Sequence, residues 1–203
     1  MSPWFCLAIA YLAGSIPSAY IAGKLNGVDL RRHGSGNLGA TNVVRVLGVK
    51  TGAVVFAADV LKGFLPVYFL PRYADTLLPG AWALAFGVAA IVGHVKPVFL
   101  LWKGGGKGVA TAAGVFAALA PLASLIAFVL WVLIFLATKY VSLASLVGAI
   151  TLPAAILLIS RDPSSPIFLA SVLIAAFVIW THRANIGRLR RGEEHRFVKR
   201  ESA

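Results

Sequence analysis

The chain has 203 residues, 59% of them hydrophobic and 13% charged, with a mean hydropathy of +0.85 and a formal net charge of +12. Ordinary soluble domains are near a quarter charged, so this composition excludes a soluble globular protein and points to an integral membrane protein. A lone Cys6 excludes a disulfide framework and a cysteine-rich metal site.

Apolar residues run in long blocks rather than alternating, which favours repeated helices over a barrel. The opening MSPWFCLAIAYLAG has no positive n-region and reads as a first span rather than a cleaved signal peptide. Helices are expected at about 3–22, 51–70, 77–95, 107–119, 122–138, 141–159 and 165–182. At ~1.5 Å per residue most of these approach the roughly 30 Å hydrocarbon thickness. Segment 107–119 is too short to cross unaided. It is either a partial span or part of a kinked element through Pro121, which would make the count five or six. No soluble domain is left over, so 1–203 reads as a single membrane-embedded domain.

Basic residues then set the topology. With seven spans, 16 of the 19 Lys and Arg fall on one side: Lys24, Arg31, Arg32, Arg45 and Lys50 in the first loop, Lys96, Lys103 and Lys107 in the third, Lys139, and seven in the tail from Arg183 to Arg200. Arg72 and Arg161 fall on the other side, and Lys62 within a helix. The positive-inside bias therefore predicts the N-terminus outside and the C-terminus in the cytoplasm. The net charge is mostly this topology signal, with some attraction to anionic lipid and substrate, and gives no separate support for nucleic-acid binding.

Three polar, glycine-containing stretches come out on that cytoplasmic side and can converge on one site. In HGSGNLGATNVVR, glycines permit tight turns, Ser35, Asn37, Thr41 and Asn42 offer neutral hydrogen-bonding groups, and Arg45 adds a planar fork suited to phosphate. The same stretch also reads as a polar interfacial turn with helix-capping residues. In WKGGGKGVAT, Gly104, Gly105 and Gly106 can turn amides toward an anion at a helix mouth, with Lys103 and Lys107 supplying charge; a hinge or a close helix crossing are the alternatives. It is not a Walker A loop, since Lys107 is followed by Gly108 and Val109.

His94 precedes that loop; His182 closes the last span and is followed by Arg183 and Asn185. Each is either an interfacial or helix-end histidine or a catalytic one. No four such groups have metal-ligand spacing. Asp59 and Lys62, three residues apart inside the second span, are expected to pair or to face a polar cavity. A transporter could carry protons on such a pair; a structural pin is the plainer reading.

The series GSIPSAYIAGKLNGVDLRRHGSGNLGATNVVRVLG, DVLKG, GHVKPVFLLWKGGGKGVATAAG and HRANIGRLRRGEE resembles, in order and spacing over nearly the whole chain, the bacterial acyl-phosphate:glycerol-3-phosphate acyltransferase family, PlsY. The resemblance implies a seven-helix, multi-pass inner-membrane enzyme with its active site facing the cytoplasm. Such an enzyme moves an acyl group from acyl phosphate to glycerol 3-phosphate, giving lysophosphatidic acid and inorganic phosphate, the first acylation of phospholipid synthesis. It implies no metal and no cofactor, and a monomeric catalyst open to interaction with the enzyme that supplies acyl phosphate.

Carried over by position, the first motif falls on Ser35, Asn37, Thr41, Asn42 and Arg45, the phosphate loop on His94 and Lys103 to Lys107, and the third on His182, Arg183, Asn185 and the acidic pair beginning at Glu193. Ser35, Arg45, His182 and Asn185 are the expected catalytic set; Asn37, Thr41, Asn42, His94, Lys103, Gly104, Gly105, Gly106, Lys107 and Arg183 the expected substrate-binding set. Two departures stand out: Lys96 replaces an aromatic or similar residue, and three glycines separate the lysines where the family has two. The general base is either His182 or a phosphate oxygen of the donor.

Rival readings fit less well. A small organic-phosphate transporter should show paired inverted repeats and polar groups along several spans; no repeat is visible, and apart from Asp59 and Lys62 the spans lack charge. Acyltransferases using coenzyme A or acyl carrier protein show His, four residues, Asp; none of His33, His94 or His182 has Asp at that spacing.

Overall fold

The computed structural model describes residues 1–197, which form ten α-helices and two single 3-10 turns. Lys199 and Arg200, counted in the basic tail, lie outside the described residues. The helices group into two compact units, Met1–Leu119 and a second beginning at Ala120.

In the first unit, α1 (Pro3–Ser15) and α2 (Ser18–Leu25) are one apolar stretch broken at Ile16–Pro17. Proline lacks an N–H and pushes its predecessor out of helical geometry, and Ile16 sits at φ −58°, ψ 114°. After a loop come α3 (Ala40–Leu47) and, across Gly48, α4 (Val49–Phe69). α5 (Pro79–Val95) packs on α1, and α6 (Val109–Leu119) on α4. Both pairs cross at glycine. A β-carbon on Gly14 would overlap the Ala90 backbone, and one on Gly63 the Thr111 carbonyl, the close approach that small residues permit between membrane helices.

The second unit holds α7 (Pro121–Thr138), α8 (Val141–Ser160), α9 (Pro166–Thr181) and α10 (Arg183–Arg190). Lys139 and Arg161 close α7 and α8 in the left-handed region, at φ 62° and 53°. Pro3, Pro79, Pro121 and Pro166 each open a helix, where the missing N–H is no loss.

The fold is thus an all-α integral membrane fold. Five helical stretches of 18 to 24 residues are long and apolar enough to cross a membrane: 3–25, 49–72, 79–100, 121–138 and 141–160. α9 and α10, bent by 58°, make a sixth if they are one span. α6 has only 11 residues, about 16 Å, which is shorter than the roughly 30 Å hydrocarbon thickness. The helices α3 and α10 were not among the expected ones.

Candidate active site

The opening loop is built around Asn42. Its side chain is almost wholly buried; its oxygen accepts the Ser35 N–H at 2.8 Å, and its amide donates to the Leu30 and His33 carbonyls at 3.2 and 3.1 Å. Below it, Ala19, Leu30, Leu38, Val43 and Val55 form a closed apolar cluster. With Asn42 and Val43 turned inward, Thr41 and Arg45 lie one turn apart on the exposed face of α3, and Ser35 is exposed at the loop tip. Arg31 grips Asp29 through two 2.9 Å bonds and so lowers that carboxyl's pKa to about 2.

The glycine loop stands on the C-terminal end of α5. Leu101 and Trp102 are consecutive residues in the left-handed region, at φ 51° and 60°, each disfavoured by roughly 1–2 kcal/mol. They are held by Trp102 N–H to the Pro97 carbonyl (2.9 Å) and by the Trp102 indole N–H to the Tyr11 hydroxyl (2.9 Å), which in turn donates to the Lys96 carbonyl (2.9 Å). Gly106 N–H donates to the His94 carbonyl at 3.3 Å. A β-carbon on Gly105 would overlap the Val95 and His94 carbonyls, and one on Gly106 the His94 Nε2. Gly104 is different: exposed, at φ 78°, with only Leu38 and Arg31 side chains near its open face. The chain then enters α6 at Val109, and the positive end of a helix dipole favours an anion.

Beneath the loop, Asp59 and Lys62 pair at 2.8 Å, and Lys62 also donates to the Ile16 carbonyl at 2.8 Å. The expected pairing within the second span is present, and it pins the α1–α2 break.

In the second unit, His182 is buried with Nδ1 2.8 Å from the Val178 carbonyl. A carbonyl only accepts, so Nδ1 carries the proton and Nε2 is the acceptor nitrogen of the neutral ring. Glu194 organises the rest: one oxygen accepts from Asn185 (2.7 Å) and Ser142 (2.8 Å), the other from Arg188 Nε (2.7 Å). Burial opposes ionisation of Glu194, but these donors outweigh it and hold the pKa below the usual carboxylate range. Arg183 is exposed, its guanidinium over the Trp180 ring at 4.6 Å.

Residues 4–192 match the family model described as glycerol-3-phosphate acyltransferase. The chain belongs to the glycerol-3-phosphate acyltransferase family. Glycerol-3-phosphate acyltransferase of Trichlorobacter lovleyi is 48% identical, covering 95% of this chain and 96% of its own; that of Aquifex aeolicus is 46% identical, covering 97% and 100%. Two solved structures of PlsY (YgiH), an integral membrane glycerol 3-phosphate acyltransferase, are similar. Its glycerol 3-phosphate form has a TM-score of 0.87 at 43% identity, covering 97% of this chain and 96% of that one; its lysophosphatidic acid form has 0.82 at 42%, covering 97% and 95%.

Within the first unit, the structure sets Leu38 of the first motif against Gly106 of the second, and Arg31 beside Gly104. Asn42 spends its amide on the loop, which makes it the scaffold of the first motif. Arg31 is absent from the expected site set, although its i+2 relation to Asp29 is a signal visible in the sequence. In the acidic pair, the Glu193 carboxylate pairs with the exposed Arg191, whereas Glu194 makes the internal bonds to Asn185, Ser142 and Arg188.

Proposed function

We propose that this chain transfers an acyl group from acyl phosphate to glycerol 3-phosphate, releasing lysophosphatidic acid and inorganic phosphate. The observation that carries this reading is the glycine loop, seated on α5 and opening into α6 with Lys103 and Lys107 at its ends, within the family's ordered series of motifs. We read Gly104, Gly105, Gly106 and Lys107 as holding the donor phosphate. Arg45 and Lys103 take the phosphate of glycerol 3-phosphate, with Asn37 and Thr41 beside them. Ser35, His182 and Asn185 orient the acceptor hydroxyl, and Arg183 adds positive charge at the third motif.

In the reaction, the acceptor hydroxyl oxygen bonds to the acyl carbon as the bond from that carbon to the phosphate oxygen breaks. The hydroxyl proton passes to the departing phosphate. Acyl phosphate is already activated, so the protein's work is to hold two anionic head groups together and to stabilise charge moving onto the phosphate. The acyl chain stays against apolar helix faces, where burial contributes roughly 0.8 kcal/mol per CH₂.

The same reading makes the chain a monomeric, multi-pass enzyme of the bacterial inner membrane and one membrane-embedded domain, in contact with whatever enzyme delivers acyl phosphate. It has seven passes, α6 counting as a partial one, with the N-terminus outside, the C-terminus inside and the loops facing the cytoplasm; the asymmetry of Lys and Arg supports this.

The test is direct. Purified protein in detergent, given long-chain acyl phosphate and glycerol 3-phosphate without ATP or added metal, is expected to release phosphate and form lysophosphatidic acid. Absence of both products would sink the assignment, and activity only with coenzyme A or acyl carrier protein donors would move it to another acyltransferase class.

A further inference from the structure

The DVLKG stretch of α4 has no part in the reaction as described, yet it buries two opposite charges. Asp59 is 2% exposed and Lys62 7%. Helix packing alone does not call for them, because α4 already meets α6 through Gly63 and Gly114, where a β-carbon would overlap backbone. The charges face inward, onto a cavity of about 10 Å³ whose walls also include His94 and Gly104, Gly105 and Gly106. This volume is far below the ~300 Å³ of an ordinary ligand pocket, and the space lies against the glycine loop.

The contacts run in one direction. Lys62 Nζ ties the Ile16 carbonyl at the α1–α2 break to Asp59 Oδ1, both at 2.8 Å. The contact between Lys62 and Asp59 Oδ1 is charge to charge, without an aligned hydrogen bond, and the same oxygen lies 3.7 Å from His94 Nδ1. Across the ring, His94 Nε2 occupies the place a Gly106 side chain would fill, and the His94 carbonyl receives the Gly106 N–H. A turn of this ring therefore pushes on Gly106 or pulls away from it.

We infer that Asp59 is a positioning residue for the glycine loop: its carboxylate, anchored by Lys62 to the α1–α2 break, fixes the His94 ring on which Gly106 rests. The inference rests on the reading that this loop holds the donor phosphate. Asp59 is buried and reaches the glycine loop only through His94, so its loss acts on donor binding and not on acceptor binding.

A structural pin and a positioning residue separate in a charge-neutral variant. Asp59→Asn alone leaves Lys62 a buried charge without its counterion, whereas removing both charges relieves that penalty. Asp59→Asn with Lys62→Met is expected to melt near wild type, with KM for acyl phosphate raised about tenfold and KM for glycerol 3-phosphate within about twofold. A stable double variant with wild-type donor KM would overturn the inference. Asp59→Glu, which keeps both charges but moves the carboxylate by one methylene, is the second variant. It is expected to raise the donor KM about threefold or more, and an unchanged donor KM overturns the inference equally. Lys107→Gln separates the two levels. If it raises the donor KM while the Asp59 variants are silent, only the positioning role falls; if it leaves the donor KM unchanged, the reading of the loop falls and this inference with it.

Discussion

The side-chain oxygen of Asn42 accepts the backbone N–H of Ser35 at 2.8 Å, so a buried residue on α3 sets the tip of the opening loop. The same amide group donates to two carbonyls, and each orphaned buried group costs roughly 1–3 kcal/mol. Asn42→Ala is expected to lower Tm and to remove most activity. Asn42→Asp should do no better, because it keeps the acceptor for Ser35 but faces the Leu30 and His33 carbonyls with an oxyanion. Thermal unfolding in detergent checks both, and a stable, active Asp variant would contradict the scaffold role.

Arg45 lies one turn from Thr41 on the outer face of α3, away from the buried Asn42 and Val43. Arg45→Ala is expected to raise KM for glycerol 3-phosphate about tenfold or more, the loss of a charge-assisted contact worth ~1.5–3 kcal/mol. KM for acyl phosphate should change far less. Steady-state kinetics with each substrate varied in turn measure the difference, and equal effects would contradict the assignment.

Tyr11 joins α1 to the strained approach of the glycine loop, receiving the Trp102 indole N–H and donating to the Lys96 carbonyl. Tyr11→Phe removes both bonds at a net loss of about 1–2 kcal/mol. Residues 96–104 should then exchange amide hydrogens faster by mass spectrometry while α7 and α8 stay unchanged. Unaltered exchange would mean that Leu101 and Trp102 keep their left-handed backbone without this clamp.

The three donors around Glu194 give a pH dependence of definite sign. Its pKa is held below the usual 4.5, so the ionised form stabilises the fold; that contribution is complete above the unfolded value and is lost as pH falls through the folded one. Wild-type Tm should hold from neutral pH down to about 5 and then fall. Glu194→Gln should melt lower at neutral pH and show a flatter acid limb. Asp29 and Asp162, also lowered, are common to both proteins, so the difference between the curves isolates Glu194.

The long helices are legible because their apolar runs are uninterrupted: the expected 122–138 and 141–159 match α7 and α8 at 121–138 and 141–160. The α1–α2 break is less legible: Pro17 marks it, but apolar residues on both sides give one continuous hydrophobic run. Helix α3 was hidden for the opposite reason. ATNVVRVL is only eight residues long, sets Thr41, Asn42 and Arg45 among five apolar residues, and is framed by glycines, so no long apolar run marks it. At the site, the glycines, Arg45 and the Asp59–Lys62 pair could be named from spacing. The Glu194 cluster joins α8 to the chain beyond α10, a contact of 52 residues in sequence that only the fold supplies.

His182 Nδ1 donates to the Val178 carbonyl at 2.8 Å, which fixes the tautomer and leaves Nε2 as the acceptor nitrogen. A neutral carbonyl orients a ring but does not stabilise an imidazolium as a carboxylate would, so this arrangement suits holding a hydroxyl better than taking its proton. The donor phosphate lies beside its own carbonyl and can accept that proton. His182→Asn, a short group that both donates and accepts, should therefore retain much more activity than His182→Ala. A general base would instead lose about 10²- to 10⁴-fold in either variant. Full pH profiles decide the matter: an acidic limb in the histidine range in wild type, together with that loss in both variants, assigns the base role to His182. An acidic limb shared by wild type and an active His182→Asn enzyme assigns the proton to the donor phosphate.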